Sequence, residues 1–219
     1  MNLYDELKKR FLEKADPETA VHMAAYMRDQ FPFYGIKSAP RRECCRPLLR
    51  EAKKTPGLDW PLLRECWADE HREFQYFVAD YLKAKERELT YDDVLRMEPF
   101  FRTKQWWDTI DALDTTAGSV AFRDDRIDAL MLKWSEDPDF WLRRAAIDHQ
   151  RKRKDKTNTE LLKAILLNNL GSSEFFINKA IGWSLREYSK TDPEWVRAFL
   201  ADWGSRMAPL SVREASKYL

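Results

Sequence analysis

Glycine is scarce in this chain, six residues in 219, and no stretch alternates polar with apolar side chains for long. Sheet proteins need alternation along half-buried strands, so both shortages turn the reading from sheet to helix. No apolar run approaches the ~20 residues of a membrane span. The opening "MNLYDELKKRFLEKA" mixes charges with apolar residues at helical spacing, unlike a signal peptide. The three cysteines, Cys44, Cys45 and Cys66, form no CxxC pair, and adjacent cysteines rarely bridge. Reduced thiols in a cytosolic protein are therefore expected, rather than a disulfide or a zinc site. Histidine is equally rare: His22, His71 and His149 lack a second ligand at metal-site spacing. Also missing are GxxxxGK[ST], GxGxxG after a strand, HExxH and GxSxG. No metal or cofactor is expected, and any chemistry must rest on carboxylates, aromatics and arginine.

Hydrophobic residues make up 44% of the chain, enough for a packed core. Helix punctuation is frequent. Asp-Pro followed by an acid occurs at Asp16-Pro17-Glu18, Asp137-Pro138-Asp139 and Asp192-Pro193-Glu194. In each, Asp caps exposed amides, Pro takes the first helical position and the acid meets the dipole. Ser211-Val212-Arg213-Glu214 has the form of a capping box, and Thr90 and Asn158 read as further starts. Helices are expected at 4–14, 17–30, 40–53, 60–69, 72–86, 91–101, 104–114, 123–135, 138–152, 159–170, 174–188, 194–203 and 211–218. Short helices with short connectors suggest stacked antiparallel pairs of the HEAT or armadillo kind; a compact all-helical domain is the alternative. No linker divides the chain, so one domain over 1–219 is expected.

Net charge is only +1, but its sign is segregated. Residues 37–54 carry seven Lys/Arg against two Glu, 141–156 seven against two Asp, and 60–100 ten acids against six bases. This segregation suits one positive face toward a polyanion, and equally suits solvated helix faces.

Chemistry concentrates in three places. In "KQWWDTID", residues 104–111, Trp107 and Asp111 stand one turn apart, beside a core stripe of Trp106, Ile110 and Leu113. In "SSEFFINKAIGWSLREYSK", residues 172–190, Phe176, Lys179 and Trp183 share one face and Gly182, Arg186 and Lys190 another. Gly182 costs a helix about 1 kcal/mol relative to Ala, which suggests close approach of something there. "WLRRAAID", residues 141–148, leads into Arg151-Lys152-Arg153-Lys154, a plausible phosphate clamp. Aromatics interleaved with cations and a carboxylate fit nucleic acid better than a protein partner.

These segments resemble the AlkD family of DNA-alkylation-repair glycosylases. "KQWWDTID", "WLRRAAI" (141–147), "FFINKAIGWSLREYSK" (175–190) and "APLSVREASKYL" (208–219) carry the resemblance, with a weaker match at 24–43. It implies an all-α fold, a right-handed superhelical stack of HEAT-like antiparallel helix pairs with a concave basic groove. It further implies catalytic roles for Asp111, Trp107, Trp183 and Arg144, with Arg144 holding a phosphate. Tyr26, Lys37, Lys152, Phe175, Phe176 and Arg186 fall on DNA-contacting or supporting positions, although Lys37 stands where an uncharged polar residue is expected. The implied partner is double-stranded DNA with alkylated purines, bound by a monomer without an obligate protein partner or membrane, in the cytoplasm and at the nucleoid when on DNA.

The chemistry matches the residue set. Alkylation at N3 or N7 makes a purine cationic, so the base leaves neutral and needs no general acid. Positive charge developing on the deoxyribose is the costly part. A carboxylate stabilises it and orients water, and indole faces favour a cation. The resemblance implies that the base stays stacked, unlike base-flipping enzymes. Two other functions stand as alternatives: a catalytically silent module holding damaged or branched DNA, which loss of the carboxylate would mark whereas Asp111 and both tryptophans are present, and a HEAT-type protein scaffold, which calls for an apolar groove where Arg144, Lys152 and Arg186 suggest a cationic one.

Overall fold

The computed structural model describes residues 2–219, and among them there are thirteen α-helices and no strand. In order these are α1 (Leu3–Leu12), α2 (Pro17–Tyr26), α3 (Ser38–Ala52), α4 (Trp60–Ala68), α5 (Arg72–Ala84), α6 (Tyr91–Arg102), α7 (Trp107–Gly118), α8 (Arg126–Trp134), α9 (Phe140–Asp148), α10 (Thr159–Leu167), α11 (Phe175–Tyr188), α12 (Pro193–Trp203) and α13 (Pro209–Ala215). None is long and apolar enough to cross a membrane.

Caps explain most of the starts. Asp16 accepts from the amides of Glu18 and Thr19, Asp192 from Trp195 and Asn158 from Leu161, while Thr90 and Asp93 form a reciprocal capping box. Two expected caps differ. At 137–139 the cap is Asp139, because the Asp137 carboxylate is engaged by Arg102 and the Asp139 amide. Ser211 caps nothing: α13 begins at Pro209, and the buried Ser211 hydroxyl donates to the Asn178 carbonyl instead.

Several helices end earlier or start later than periodicity predicts, and left-handed backbone is the reason. Arg28 and Asp29 have φ of 57° and 55°, so α2 stops at Tyr26 rather than 30. Lys104 at φ 49° and extended Trp106 delay α7 to Trp107. Lys152 at φ 72° lies beyond the end of α9, which stops at Asp148 rather than 152. Non-glycine residues rarely take this conformation, so composition gives no warning of it.

The chain divides into two compact units, one ending at Glu88 and the other Leu89–Leu219. In the first, α1 packs on α3 and α4, and α5 packs on the same two helices. Leu7, Phe11, Cys45, Leu63, Cys66, Phe74 and Leu82 are fully enclosed there. All three thiols are buried and unbridged, and burial pushes the Cys45 thiol up to about 12, so it stays protonated and inert. In the second unit α9 is the hub, touching α6, α7, α8, α10 and α11, while α11 also packs closely on α13. Each buried Leu, Ile or Phe stabilises such packing by about 1.5–3 kcal/mol.

Two glycines set how closely the second unit's helices pack. A Cβ on Gly118 would sit 2.3 Å from the His149 carbonyl oxygen, and one on Gly182 would sit 2.6 Å from the Glu214 Cβ. Any side chain would force α7 from the end of α9, or α11 from α13. The close approach expected at Gly182 is therefore that of α13.

Candidate active site

The N-terminus of α7 is shaped by its aromatic residues. Trp106 is the extended residue before the helix, its ring 5.8 Å from Trp141 and 5.2 Å from Phe176. Ile110 and Leu113 are completely buried, while Trp107 and Asp111 are half-buried beside them, as the spacing predicts. One turn of helix separates Trp107 from Asp111.

Asp111 is clamped from α9. Arg144 donates Nε to Asp111 Oδ1 and Nη2 to Oδ2, both at 2.8 Å, a two-pronged pairing that fixes the carboxylate plane. Its Nη1 donates to the Phe176 carbonyl at 2.7 Å. The guanidinium is only 2% exposed, against 13% for the Asp111 side chain. The role that the resemblance assigns to Arg144, holding a phosphate, thus meets a guanidinium already committed to Asp111 and to a backbone carbonyl. Burial pulls its pKa down, but Asp111 and the neighbouring carboxylates outweigh that and hold it above the ordinary value.

α11 brings Trp183 to the same place. Arg144 lies 5.9 Å from the indole, Arg151 5.4 Å, Lys179 5.7 Å and Arg186 5.6 Å. Four cations surround one half-buried ring, each also facing a carboxylate: Arg144 and Arg151 those of Asp111, Asp114 and Asp148, and Lys179 and Arg186 that of Glu214. Lys179 and Arg186 are ordered by Glu214 of α13, at 3.1 and 2.6 Å. Although burial opposes it, the Lys217 and Lys179 ammoniums beside Glu214 hold its carboxyl down to about 2.

Asp111, Arg144, Trp183, Phe176 and Arg186 therefore converge in one region of the second unit, with Trp107 one turn from Asp111. Phe176 acts through its backbone carbonyl and an aromatic stack with Trp141, centroids 4.7 Å apart. Phe175 is 56% exposed. The basic run divides: Lys152 and Lys154 are exposed, but Arg151 turns inward to Asp114 at 3.2 Å and Arg153 to the Gly118 carbonyl at 2.6 Å. As a clamp it thus offers two cations, not four. Tyr26, 72% exposed at the end of α2, and Lys37, exposed just before α3, belong to the first unit.

Three residues given no role at the site by the sequence stand beside it, Asp114, Asp148 and Glu214, together with Arg151, which the sequence offers as part of a phosphate clamp. Their signal was present as spacing. Asp111 and Asp114 are three apart on α7, and Arg144, Asp148 and Arg151 follow at four and three along α9 and its end. Acidic Oδ atoms of Asp111, Asp114 and Asp148 lie within 4.8 Å of one another. Two guanidiniums sit among them and Arg144 occupies both Asp111 oxygens, so this donor set is an ion-pair network rather than a metal seat. His149, fully buried, carries its proton on Nδ1 toward the Ala146 carbonyl, and burial pushes it down to about 3, so it stays neutral.

Residues 7–219 match the family model described as DNA alkylation repair enzyme. No match is found among curated proteins. Among solved structures, the chain is similar to a predicted DNA alkylation repair enzyme from Enterococcus faecalis, at 35% identity with a TM-score of 0.87, covering 94% of this chain and 96% of that one. The family match spans both compact units and every candidate residue, and the chain belongs to the DNA alkylation repair enzyme family.

Proposed function

We propose that the protein is a DNA glycosylase of base excision repair that hydrolyses the N-glycosidic bond of cationic N3- or N7-alkylated purines in duplex DNA. One observation carries this reading above the others: a partly exposed carboxylate, Asp111, held in a fixed plane by a buried arginine beside the indole of Trp183. A carboxylate so oriented stabilises the positive charge that grows on the deoxyribose as the neutral base departs, and it orients the attacking water. Trp107 and Trp183 offer π faces to the same charge. Arg144 works by holding Asp111, and the exposed Lys152 and Lys154 attract the flanking phosphates. In the first unit, Arg42, Arg46, Arg50 and Lys53 are exposed along α3 and its end at spacings of four, four and three, one face of the helix, and offer a second stripe to phosphates; Tyr26 and Lys37 are exposed in the same unit. No step needs a metal or a nucleotide cofactor.

The test is direct. Incubated with methylated duplex DNA, the purified protein is expected to release free 7-methylguanine and 3-methyladenine, detected chromatographically. Tight binding of that DNA without any base release would instead identify a catalytically silent damage-binding module.

A further inference from the structure

Behind the Asp111–Arg144 pair lies a layer of charge that the proposed chemistry does not touch. Asp114 and Asp148 are completely buried, and Arg151 is largely so. Arg151 Nη2 reaches Asp114 Oδ2 at 3.2 Å, and its Nε stands 3.5 Å from Asp148 Oδ1. Arg144 Nη2 stands 3.9 Å from Asp148 Oδ2, too far for a hydrogen bond. Neither Asp148 oxygen has a hydrogen-bond partner among the described residues. A fully enclosed carboxylate with both oxygens unserved is costly unless its charge is removed.

The charges here can be counted. Asp111 and Arg144 balance each other; behind them Asp114 and Asp148 contribute −2 and Arg151 +1, leaving −1 on two carboxylates that are completely buried. These charges come from α7, from α9 and from the turn beyond it. The cations that α11 brings nearby, Lys179 and Arg186, are bound to Glu214. The excess charge must be neutralised within the layer.

We propose that Asp114, Asp148 and Arg151 are positioning residues for the reaction at Asp111: a buried layer, made electrically neutral by one proton shared between Asp114 and Asp148, that fixes Arg144 and through it the Asp111 carboxylate. This rests on the glycosylase reading for its consequence, though not for the proton itself. When the proton is present, Arg144 has one ionised partner of full strength and stays on Asp111. When it leaves, Asp148 competes for the same guanidinium. Burial supports the arrangement, pushing Asp148 up to about 6 and Asp114 well above the ordinary range, with the proton belonging to the pair rather than to either group.

Three measurements on the full chain test it. Infrared difference spectra of the folded wild type at neutral pH should contain a protonated carboxyl band that disappears in Asp114→Asn and in Asp148→Asn. Asn mimics a protonated Asp, so Asp148→Asn should keep single-turnover release from methylated duplex within about threefold at pH 7. Asp148→Ala, checked for folding by circular dichroism, should slow release about 10–100-fold with unchanged DNA affinity, the size expected when an outer partner of a working group is lost. The wild-type rate should also fall on the alkaline side, and this fall should be absent from Asp148→Asn. Absence of the carboxyl band overturns the proposal, as does equal slowing by Asn and Ala. If the wild type releases no base at all, the glycosylase reading fails, while the infrared band still decides the shared proton.

Discussion

The two units bury charge for different purposes. In the first, backbone groups take much of the buried charge, although Lys85 also pairs with Glu88 at 2.8 Å and Arg41 with Asp80 at 2.7 Å. Glu73, inaccessible to solvent, accepts from the amides of Tyr34, Gly35 and Ile36 at 3.0–3.1 Å, and Lys85 donates to the carbonyls of Ala52 and Thr55. In the second, buried charges are used on one another: Arg144 and Arg151 with Asp111, Asp114 and Asp148, and Glu214 with three cations. The exposed cations differ in the same sense. Those on α3 stand in solvent as a stripe, whereas the part-exposed Lys179 and Arg186 beside Trp183 are tied to Glu214. A charge that only needs to hold a loop is satisfied by peptide groups. One that must place a reacting carboxylate is satisfied by another fixed charge, because only that pairing sets orientation as well as energy.

The sharpest way to break this contrast is Arg144. Its replacement by Ala, or by Lys, which cannot pair in two-pronged fashion, should lower base release about 10²–10³-fold, the scale of losing one preorganised charge contact. Retention of activity in Arg144→Lys would show that charge alone suffices. Glu73→Gln should act on the fold instead, lowering the denaturation free energy by about 3 kcal/mol while the folded fraction releases base at the wild-type rate. A lowered rate per folded molecule would blur the division between the units.

Acid should separate the buried groups by sign. Glu214, held down to about 2, contributes stability that is complete above its ordinary pKa near 4.3 and is lost as pH falls toward 2. His149, kept neutral by burial, adds loss in the same direction as pH falls from about 6.5 toward 3. Asp148 and Asp114 are both raised, so what the pair contributes is present at low pH and is lost as pH rises and its protons leave. Glu214→Gln should therefore flatten the acid limb of a denaturation profile and cost about 2 kcal/mol at neutral pH, whereas Asp148→Asn should leave neutral stability equal or higher. The smallest effect is expected from the stripe on α3: Arg46→Ala should weaken duplex affinity a few-fold and reduce the log–log salt slope by about 0.9. An unchanged slope would remove α3 from the DNA contacts.

Much of this architecture is legible in the residue order. The thirteen helices follow from apolar spacing and from Asp, Asn and Thr caps, and the pairing of Trp107 with Asp111 on one face follows from a four-residue interval. Helix ends escaped wherever Arg, Asp or Lys takes left-handed backbone, since no glycine or proline marks those turns. The run Arg151–Lys154 reads as four equivalent cations, yet two point inward, because α7 brings the carbonyl of Gly118 and the carboxylate of Asp114 there and the end of α9 supplies Asp148. Gly182 announces a close approach without naming Glu214 as what approaches. The three- and four-residue intervals place these charges on one side of each helix, but burial of an ion pair depends also on the partner across the fold, which local periodicity does not name.

Asp111→Asn tests the central claim most directly. The substitution keeps shape and much of the hydrogen bonding but removes the negative charge. Single-turnover release of 7-methylguanine should fall at least about 100-fold while affinity for methylated duplex is equal or tighter. Release at the wild-type rate, or a loss of rate matched by an equal loss of binding, would contradict the assignment of Asp111 as the group that stabilises the sugar cation.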